Sequence, residues 1–138
     1  MAENNTNSPS RRSTVYVVDD NEVVRRVLKG IIRQDSRLQY VGETTHGDAA
    51  IEALRKTRPD VVCLDVHMPG SLDGLGVLEH VREHAPAVKV VIITGYATSE
   101  LIRKARALGA HGFVVKPFNA AKVLSTLHAA LAQDAQPA

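Results

Sequence analysis

Short continuous runs of valine, isoleucine and leucine recur along the chain, and a stretch of helical periodicity follows most of them. The runs "VYVV", "VVCL" and "VKVVIIT" begin at Val15, Val61 and Val88. Because apolar residues in these runs are consecutive rather than alternating with polar ones, we expect strands that are covered on both faces. Such strands, alternating with helices, are typical of a parallel sheet with right-handed crossovers.

The 138 residues fit one α/β domain, a doubly wound five-stranded parallel sheet with five helices. A polar N-terminal tail is expected to be disordered over residues 1–13, and residues 133–138 are expected to form a frayed end, which leaves residues 14–132 for the domain. Gly109 is predicted to end the fourth helix, and Asn119 to cap the fifth. Strands are predicted near 15–18, 38–43, 60–65, 88–94 and 111–116, and helices near 23–32, 47–57, 75–84, 99–108 and 119–132.

Composition excludes several classes of protein. The net charge of +2 is too small to indicate nucleic-acid binding. Cys63 is the single cysteine, so no internal disulfide can form, and its apolar neighbours predict a buried thiol in a reducing compartment. No apolar run has the length of a membrane span or a signal sequence, so we expect a cytoplasmic protein.

Polar side chains stand at the point where four of the predicted strands end. The first strand is followed by Asp19 and Asp20, the third ends at Asp65, the fourth at Thr94, and the fifth at Lys116. The carboxyl ends of parallel strands meet at one edge of the sheet, so these groups are predicted to converge there.

The chemistry of this set of groups indicates phosphoryl transfer. Three carboxylates repel one another unless a cation holds them ionised, and oxygen ligands alone select a hard cation such as Mg²⁺. An ammonium and a hydroxyl group beside that cation are suited to stabilising a phosphoryl group in transfer. A carboxylate of the set can act as the nucleophile and form an aspartyl phosphate.

In this order, the residues resemble the receiver domain of two-component response regulators over about residues 14–132. The resemblance rests on the acidic pair Asp19-Asp20, the segment "DVHMPG…DG" that contains Asp65, Thr94 followed by a glycine, Phe113, and the Lys116-Pro117 dipeptide. It implies a flavodoxin-like (βα)5 fold with strand order 2-1-3-4-5. It also implies a signalling module that catalyses only its own phosphorylation and dephosphorylation and is otherwise not an enzyme.

The resemblance assigns roles at the metal and phosphorylation site. Asp65 corresponds to the phosphoacceptor, which takes a phosphoryl group from a phosphohistidine. Asp20, Asp65 and the backbone carbonyl of His67 correspond to the ligands of Mg²⁺, and Asp19 acts through a water molecule. Lys116 would pair with the phosphoryl oxygens.

The remaining roles concern the response to phosphorylation. Thr94 would hydrogen-bond one phosphoryl oxygen, and Gly95 would leave its backbone N–H free for another. The family couples this threonine to an aromatic ring, here Phe113, which turns inward when the domain is phosphorylated. The Lys116-Pro117 peptide bond is expected to be cis.

The resemblance also implies partners. A sensor histidine kinase or a histidine phosphotransfer protein would supply the phosphoryl group, and a downstream protein target would bind the surface formed by residues 99–132. No effector domain is expected after residue 132, no direct contact with nucleic acid or membrane is expected, and the domain would be a monomer or a phosphorylation-dependent dimer. A basic stripe on the fourth helix, Arg103, Lys104 and Arg106, either contacts an acidic partner or is solvated.

Three features depart from the usual family pattern. One additional residue lies between Asp65 and Asp73, which predicts a longer or bulged loop over residues 69–73. Phe113 stands where tyrosine is commoner, so burial alone must bias the switch. The bulky Tyr96 is predicted to obstruct the attack of water and to give a long-lived phosphoryl group.

Three alternatives remain at this point. The chain can be a receiver fragment of a longer DNA-binding response regulator. A second alternative is a Mg²⁺-dependent phosphatase of the haloacid dehalogenase kind, but that chemistry needs an acidic residue at the position of His67. A third is a flavin-binding protein of the same topology, but the phosphate-binding loop that it needs after the first strand is missing from this sequence. The segment "HVREH" from His80 to His84 matches a metalloprotease pattern, but a solvated helical face explains it better. His46, His111 and His128 are assigned no special role.

Overall fold

A computed structural model of the chain describes residues 11–68, 70 and 72–133. Strands and helices alternate along these residues, as the sequence predicts. The elements are β1 (Ser13–Val18), α1 (Glu22–Arg33), β2 (Leu38–Thr44), α2 (Gly47–Thr57), β3 (Val61–Leu64), α3 (Gly74–His84), β4 (Lys89–Thr94), α4 (Ser99–Ala107), β5 (Gly112–Val115) and α5 (Ala120–Leu131).

The five strands form one parallel sheet in the order β2-β1-β3-β4-β5, which confirms the predicted fold and strand order. After β1 the chain passes through α1 to β2, on one side of β1. After β3 it passes through α3 to β4, on the opposite side of β3. Because these two connections run in opposite directions from adjacent strands, a crevice opens between them at the carboxyl ends of β1 and β3. The residues that follow Val18 and Leu64 lie at this crevice.

Each face of the sheet has its own apolar core, which explains the continuous apolar runs. On one face, Val15 and Val17 of β1 pack with Leu28 of α1 and Leu127 of α5. On the other face, the intervening strand residues pack with α2, α3 and α4. The buried members there include Val18, Leu64, Ala50, Leu54, Val77, Leu78 and Ala105. Both faces exclude water, so the predicted burial of the strands on two sides is confirmed.

Short polar side chains begin four of the helices that start near the carboxyl edge. The Asn21 side chain accepts a hydrogen bond from Val24 N at 3.0 Å, and the Asn119 side chain accepts one from Lys122 N at 2.8 Å, as the sequence predicts for Asn119. Asp73 and Thr98 cap α3 and α4 in the same way. These caps satisfy first-turn N–H groups that have no partner within the helix. They fix where the chain leaves the edge of the sheet.

The ends of the domain differ from the sequence prediction. Ser13, which composition assigns to the tail, begins β1 because its N–H donates to Arg37 O at 2.9 Å. Arg11 pairs with Asp60 at 3.0 Å. Gln133, assigned to the frayed end, accepts a hydrogen bond from Lys89 Nζ at 2.7 Å through its carbonyl. Residues 1–10 and 134–138, which the two predicted ends also include, lie outside the described residues.

Most elements begin or end one or two residues away from the predicted positions, and α4 and β5 are two examples. α4 ends at Ala107, and Gly109 follows with φ of +101°, the left-handed backbone that favours glycine after a helix. β5 covers Gly112–Val115 and so is one residue shorter at each end than predicted. Within the described part of the chain, no helix combines the length and apolar character that crossing a bilayer requires.

Candidate functional site

Three aspartates meet at the carboxyl edge of β1 and β3. Asp65 continues β3 by donating its N–H to Val18 O at 2.9 Å, and Asp19 continues β1 by donating to Thr44 O at 3.1 Å. Carboxylate oxygens of Asp19, Asp20 and Asp65 all lie within 4.8 Å of one another. The sheet therefore gathers the predicted carboxylates at one point.

The aspartates differ in their exposure to solvent. Asp19 and Asp65 are 1% and 4% exposed, whereas Asp20 is exposed. Burial, and after it the Asp19 carboxylate, raises the pKa of Asp65 above its ordinary value, while Lys116 acts in the opposite direction. Lys116 Nζ lies 2.9 Å from Asp19 Oδ2 and 3.6 Å from Asp65 Oδ2. One ammonium group is thus shared between two buried carboxylates.

The Asp19 carboxylate has one oxygen without a hydrogen bond. Its Oδ1 accepts from Asn21 N at 2.8 Å. Its Oδ2 is buried and makes no hydrogen bond, because the nearby Lys116 ammonium lies outside hydrogen-bond geometry. The contact of this oxygen with Lys116 at 2.9 Å is therefore an ion pair without an aligned hydrogen bond, which leaves room for a further ligand.

The donor set fits Mg²⁺. All candidate ligands are oxygens, and two oxygens bound at about 2.1 Å to one Mg²⁺ lie at most about 4.2 Å apart, close to the separation of the Asp19, Asp20 and Asp65 oxygens. Among the described residues, this is the one group of three or more metal-ligating side chains, and His80 and His84 stack without a third ligand.

β4 and β5 bring the hydroxyl and ammonium groups to the same edge. Thr94 is 1% exposed, and its Oγ1 accepts a hydrogen bond from Tyr96 N at 3.0 Å, so the hydroxyl hydrogen is free to donate. Gly95 is exposed, and a Cβ at that position would meet open space. Lys116 N donates to Thr94 O at 2.8 Å, which aligns the two strand ends, and the Lys116-Pro117 peptide is cis, as expected.

A cleft of about 580 Å³ opens beside the aspartates. His67 lies at its rim, and its N–H donates to Asp65 Oδ1 at 3.2 Å. The Tyr96 ring contacts the His67 ring edge-on, with centroids 4.9 Å apart, and the tyrosine is 68% exposed. The cleft is lined by Asp20, Val66, His67, Met68, Asp73, Leu75 and Leu101.

The Asp73-Gly74 pair shapes the loop after Asp65 rather than joining the acidic cluster. Gly74 N donates to Val66 O at 3.0 Å, and a Cβ on Gly74 would overlap the Asp65 carbonyl oxygen and lie 2.6 Å from Val66 Cα. Only glycine allows α3 to start this close to the end of β3. The predicted additional residue lies within 69–73, where positions 69 and 71 are outside the described residues.

Phe113 lies away from the carboxylates, on β5. Its position pairs with Ile92, two residues before Thr94, and its ring is partly buried in the core beneath α4. The Arg106 guanidinium lies 5.2 Å from the centre of this ring. The aromatic residue therefore connects β5 with the basic face of α4.

Sequence reasoning missed several residues that hold the site and its surroundings. Arg25 Nη1 donates to the backbone carbonyl of Asp19 at 2.7 Å, a contact that no side-chain motif signals. His128, which was assigned no role, pairs with Asp35 at 2.7 Å, and this contact is the main reason that the pKa of Asp35 lies well below its usual value. His111 Nδ1 accepts from Val90 N at 3.0 Å.

Comparison with protein families matches residues 15–128 to the response regulator receiver domain. The chain belongs to this family. It is therefore a two-component signalling domain, of a family that binds Mg²⁺ at an acidic cluster, and not a haloacid dehalogenase or a flavin-binding protein.

Individual relatives agree with this assignment. Chemotaxis protein CheY of Listeria monocytogenes is 34% identical over 116 residues, which cover 84% of this chain and 96% of CheY. A protein-glutamate methylesterase/protein-glutamine glutaminase of Pyrococcus abyssi is 42% identical over 109 residues, which are 78% of this chain but only 29% of the methylesterase. The response regulator domain of Thermotoga maritima CheB has a TM-score of 0.83 at 28% identity, covering 90% of this chain and 99% of that domain.

Proposed function

We propose that this receiver domain accepts a phosphoryl group on Asp65 from the phosphohistidine of a sensor kinase or phosphotransfer protein, in a Mg²⁺-dependent reaction. The observation that carries the proposal is the composition of the carboxyl edge. A buried carboxylate, Asp65, lies in a cluster with the carboxylates of Asp19 and Asp20, and among the described residues only one ammonium group, that of Lys116, is shared between Asp19 and Asp65. This excess of negative charge favours a bound cation. The cation and Lys116 together then offset the negative charge of a phosphoryl group.

The transfer forms one bond and breaks another. An Asp65 oxygen attacks phosphorus, the P–N bond of the phosphohistidine breaks, and its electron pair returns to the imidazole of the partner. Lys116 donates to a phosphoryl oxygen, and the Thr94 hydroxyl, which is free to donate, binds a second. Dephosphorylation reverses the modification when water attacks phosphorus and inorganic phosphate leaves. The domain thus catalyses only reactions of its own carboxylate.

Mg²⁺ would be held by Asp20, Asp65 and the backbone carbonyl of His67, with Asp19 acting through water. The ion supplies neutralising charge next to the transferred group. His67 N–H already donates to Asp65 Oδ1, which leaves Asp65 Oδ2 on the side of Lys116. Fixing one oxygen in this way orients the nucleophile before any partner binds.

The phosphodonor is proposed to dock on α1. Val23 and Val27 are 62% and 46% exposed, and they lie one helical turn apart in the first half of α1, which begins two residues after Asp20. Large apolar side chains exposed as a pair beside a functional edge are typical of a protein contact. A helical partner lying on these valines would bring its phosphohistidine to the aspartates.

The output surface is proposed to lie within residues 99–132. Thr94 would respond to the phosphoryl group and release the Phe113 ring to move inward, and Arg106, which lies over that ring, would move with it. A groove of about 390 Å³ on α4 is lined by Ser99, Ile102, Arg103, Arg106 and Ala107, so an acidic protein segment with apolar side chains fits it best.

The remaining parts of the proposal concern assembly and location. The domain would be a monomer or a phosphorylation-dependent dimer, would act in the cytoplasm, where its buried Cys63 thiol stays reduced, and would contact neither nucleic acid nor membrane. A second candidate role is the receiver part of a longer regulator. The match to the longer Pyrococcus methylesterase, of which this chain spans 29%, agrees with this role, and the match that spans 96% of Listeria CheY agrees with the first role.

Incubation with acetyl phosphate followed by intact mass measurement tests the proposal. The wild-type chain with Mg²⁺ is expected to gain one phosphoryl group, and the same chain with excess chelator is expected to gain none. Asp65→Asn is expected to gain none under either condition, whereas Asp60→Asn, at the opposite end of the same strand, is a matched control that retains the adduct. An adduct on Asp65→Asn, or one that forms without a divalent cation, would contradict the proposal.

A further inference from the structure

Arg25 connects the acidic cluster to the neighbouring edge of the sheet. Its side chain is only 13% exposed, although it belongs to a helix surface. Nη1 donates to the carbonyl oxygen of Asp19 at 2.7 Å, and Nε donates to Glu43 Oε2 at 2.9 Å. The other carboxylate oxygen of Glu43 accepts a hydrogen bond from the Tyr40 hydroxyl on β2. The guanidinium thus bridges the end of β1 and β2.

The carbonyl that Arg25 binds belongs to the peptide between Asp19 and Asp20. The other polar groups of Asp19 are held by different partners, since its N–H donates to Thr44 O and its Oδ1 accepts from Asn21 N. Among the described residues, Arg25 is the side chain that donates to this carbonyl, so it holds the plane of the peptide from which Asp20 departs. Asp20 is exposed, so its direction depends on its backbone.

The charge of Arg25 does not compete with a cation in the cluster. Glu43 pairs with the guanidinium, and the Tyr40 hydroxyl, followed by Arg25, holds the pKa of Glu43 below its usual value. Arg25 points at a backbone carbonyl and at Glu43 rather than at the carboxylate oxygens of Asp19, Asp20 or Asp65. Its contacts are suited to holding geometry, and Lys116 supplies the charge that the carboxylates share.

We propose that Arg25 is a positioning residue of the metal site, which presents the Asp20 carboxylate to Mg²⁺ through the Asp19–Asp20 peptide. This inference rests on the proposed function, because it assumes that Asp20 and Asp65 share the ion. Arg25 contacts neither the ion nor the phosphoryl group. Its effect on both passes through the backbone carbonyl of Asp19.

Electrostatics and positioning predict opposite effects when Arg25 is replaced. Removing a positive charge near a cation site strengthens cation binding if charge alone matters. Removing a group that orients a ligand weakens metal binding, typically by about 10- to 100-fold for an outer partner of a metal ligand. The direction of the change in Mg²⁺ affinity therefore separates the two explanations.

The experiment measures the dissociation constant of Mg²⁺ by titration calorimetry on the full chain without a phosphodonor. Arg25→Met, which keeps the length of the side chain, is expected to weaken binding about tenfold. Arg25→Lys keeps the charge but cannot bridge both acceptors, and it is expected to weaken binding about threefold. Arg26→Met is the matched control, because Arg26 is exposed, pairs only with Glu22 and should leave the affinity unchanged.

Phosphorylation by acetyl phosphate gives a second readout. Arg25→Met is expected to be slow at low Mg²⁺ and to approach the wild-type rate at saturating Mg²⁺, since positioning affects occupancy of the site rather than the nucleophile. Unchanged or tighter Mg²⁺ binding by Arg25→Lys, or by folded Arg25→Met, would overturn the inference and leave the proposed function intact. A wild-type chain that neither binds Mg²⁺ nor forms an adduct would overturn both.

Discussion

At the amino-terminal end of the sheet, the Asp60 carboxylate accepts hydrogen bonds from Thr14 N at 2.7 Å and from Arg11 at 3.0 Å. At the carboxyl end, the Asp19 carboxylate keeps one buried oxygen without a hydrogen bond and shares Lys116 with Asp65. The same strands therefore carry a carboxylate with several donors at one end and an excess of negative charge at the other.

Two lysines, the buried Lys89 and the partly buried Lys116, show the same contrast. Lys89, 7% exposed, donates to a single backbone carbonyl of Gln133 at 2.7 Å and so fastens the end of α5 to the sheet. Lys116 faces two carboxylates at 2.9 and 3.6 Å and satisfies neither fully. Polar groups that find all their hydrogen-bond and ion-pair partners within the chain stabilise the fold. Polar groups that lack some of these partners are typical of a binding site, where a ligand supplies the missing ones.

Replacing the two lysines gives the largest expected difference between the two ends. Lys116→Met removes the ammonium that stabilises the transferred phosphoryl group, so the rate of phosphorylation by acetyl phosphate is expected to fall about 100-fold or more. Lys89→Met is the matched control and should retain the wild-type rate. Intact mass against time gives both rates, and equal slowing of the two variants would contradict a special role for the carboxyl end.

Replacing the two aspartates that flank β3, Asp60 and Asp65, should change stability in opposite directions when Mg²⁺ is absent. Asp65 has a raised pKa, so its ionised form destabilises the metal-free fold at neutral pH, and Asp65→Asn is expected to raise the free energy of unfolding. Asp60→Asn weakens the bonds to Thr14 and Arg11 and is expected to lower it by about 1 kcal/mol. Urea unfolding in chelator measures both. If both variants change the free energy of unfolding in the same direction, the proposed difference between the two ends of the sheet is wrong.

The stability of the amino-terminal end of the sheet also depends on a neutral histidine, His111. Burial, with Arg82 and Lys89 nearby, lowers the pKa of His111 to about 4. The unfolded chain, with a histidine pKa of about 6.5, binds the proton first as pH falls, so stability is lost between about pH 6.5 and 4. His111→Asn can still accept from Val90 N and should reduce this loss by about 1–2 kcal/mol at the acid end of the range. An unchanged pH profile of urea unfolding would assign the acid sensitivity to other groups.

The smallest expected effect concerns water at the carboxyl end. Tyr96 lies edge-on to His67, which lines the cleft beside Asp20, and its bulk is expected to slow hydrolysis of the aspartyl phosphate. Tyr96→Ala is expected to shorten the phosphoryl lifetime about threefold, measured as decay of the adduct after the donor is removed. A wild-type half-life of seconds, or a longer lifetime in the variant, would contradict this role of Tyr96.

The parts of the molecule that sequence could predict are those with a local pattern. Runs of β-branched residues predicted the strands, and the polar residues after them predicted which groups share an edge. The role of Arg25 could not be predicted, because its acceptor is the backbone carbonyl of Asp19 and every residue type carries such a carbonyl. The contact between His128 and Asp35 could not be predicted, because the two residues are 93 positions apart in the sequence. The domain ends were misjudged at Ser13 and Gln133, because distant hydrogen bonds rather than composition order them.

The most direct test of the central claim locates the phosphoryl group after reaction with acetyl phosphate and Mg²⁺. Borohydride reduction converts an aspartyl phosphate to homoserine, and peptide mass spectrometry identifies the position. The account predicts homoserine at position 65 alone, with unmodified aspartate at Asp19, Asp20 and Asp60. Homoserine at one of those three positions, or at none, would contradict it.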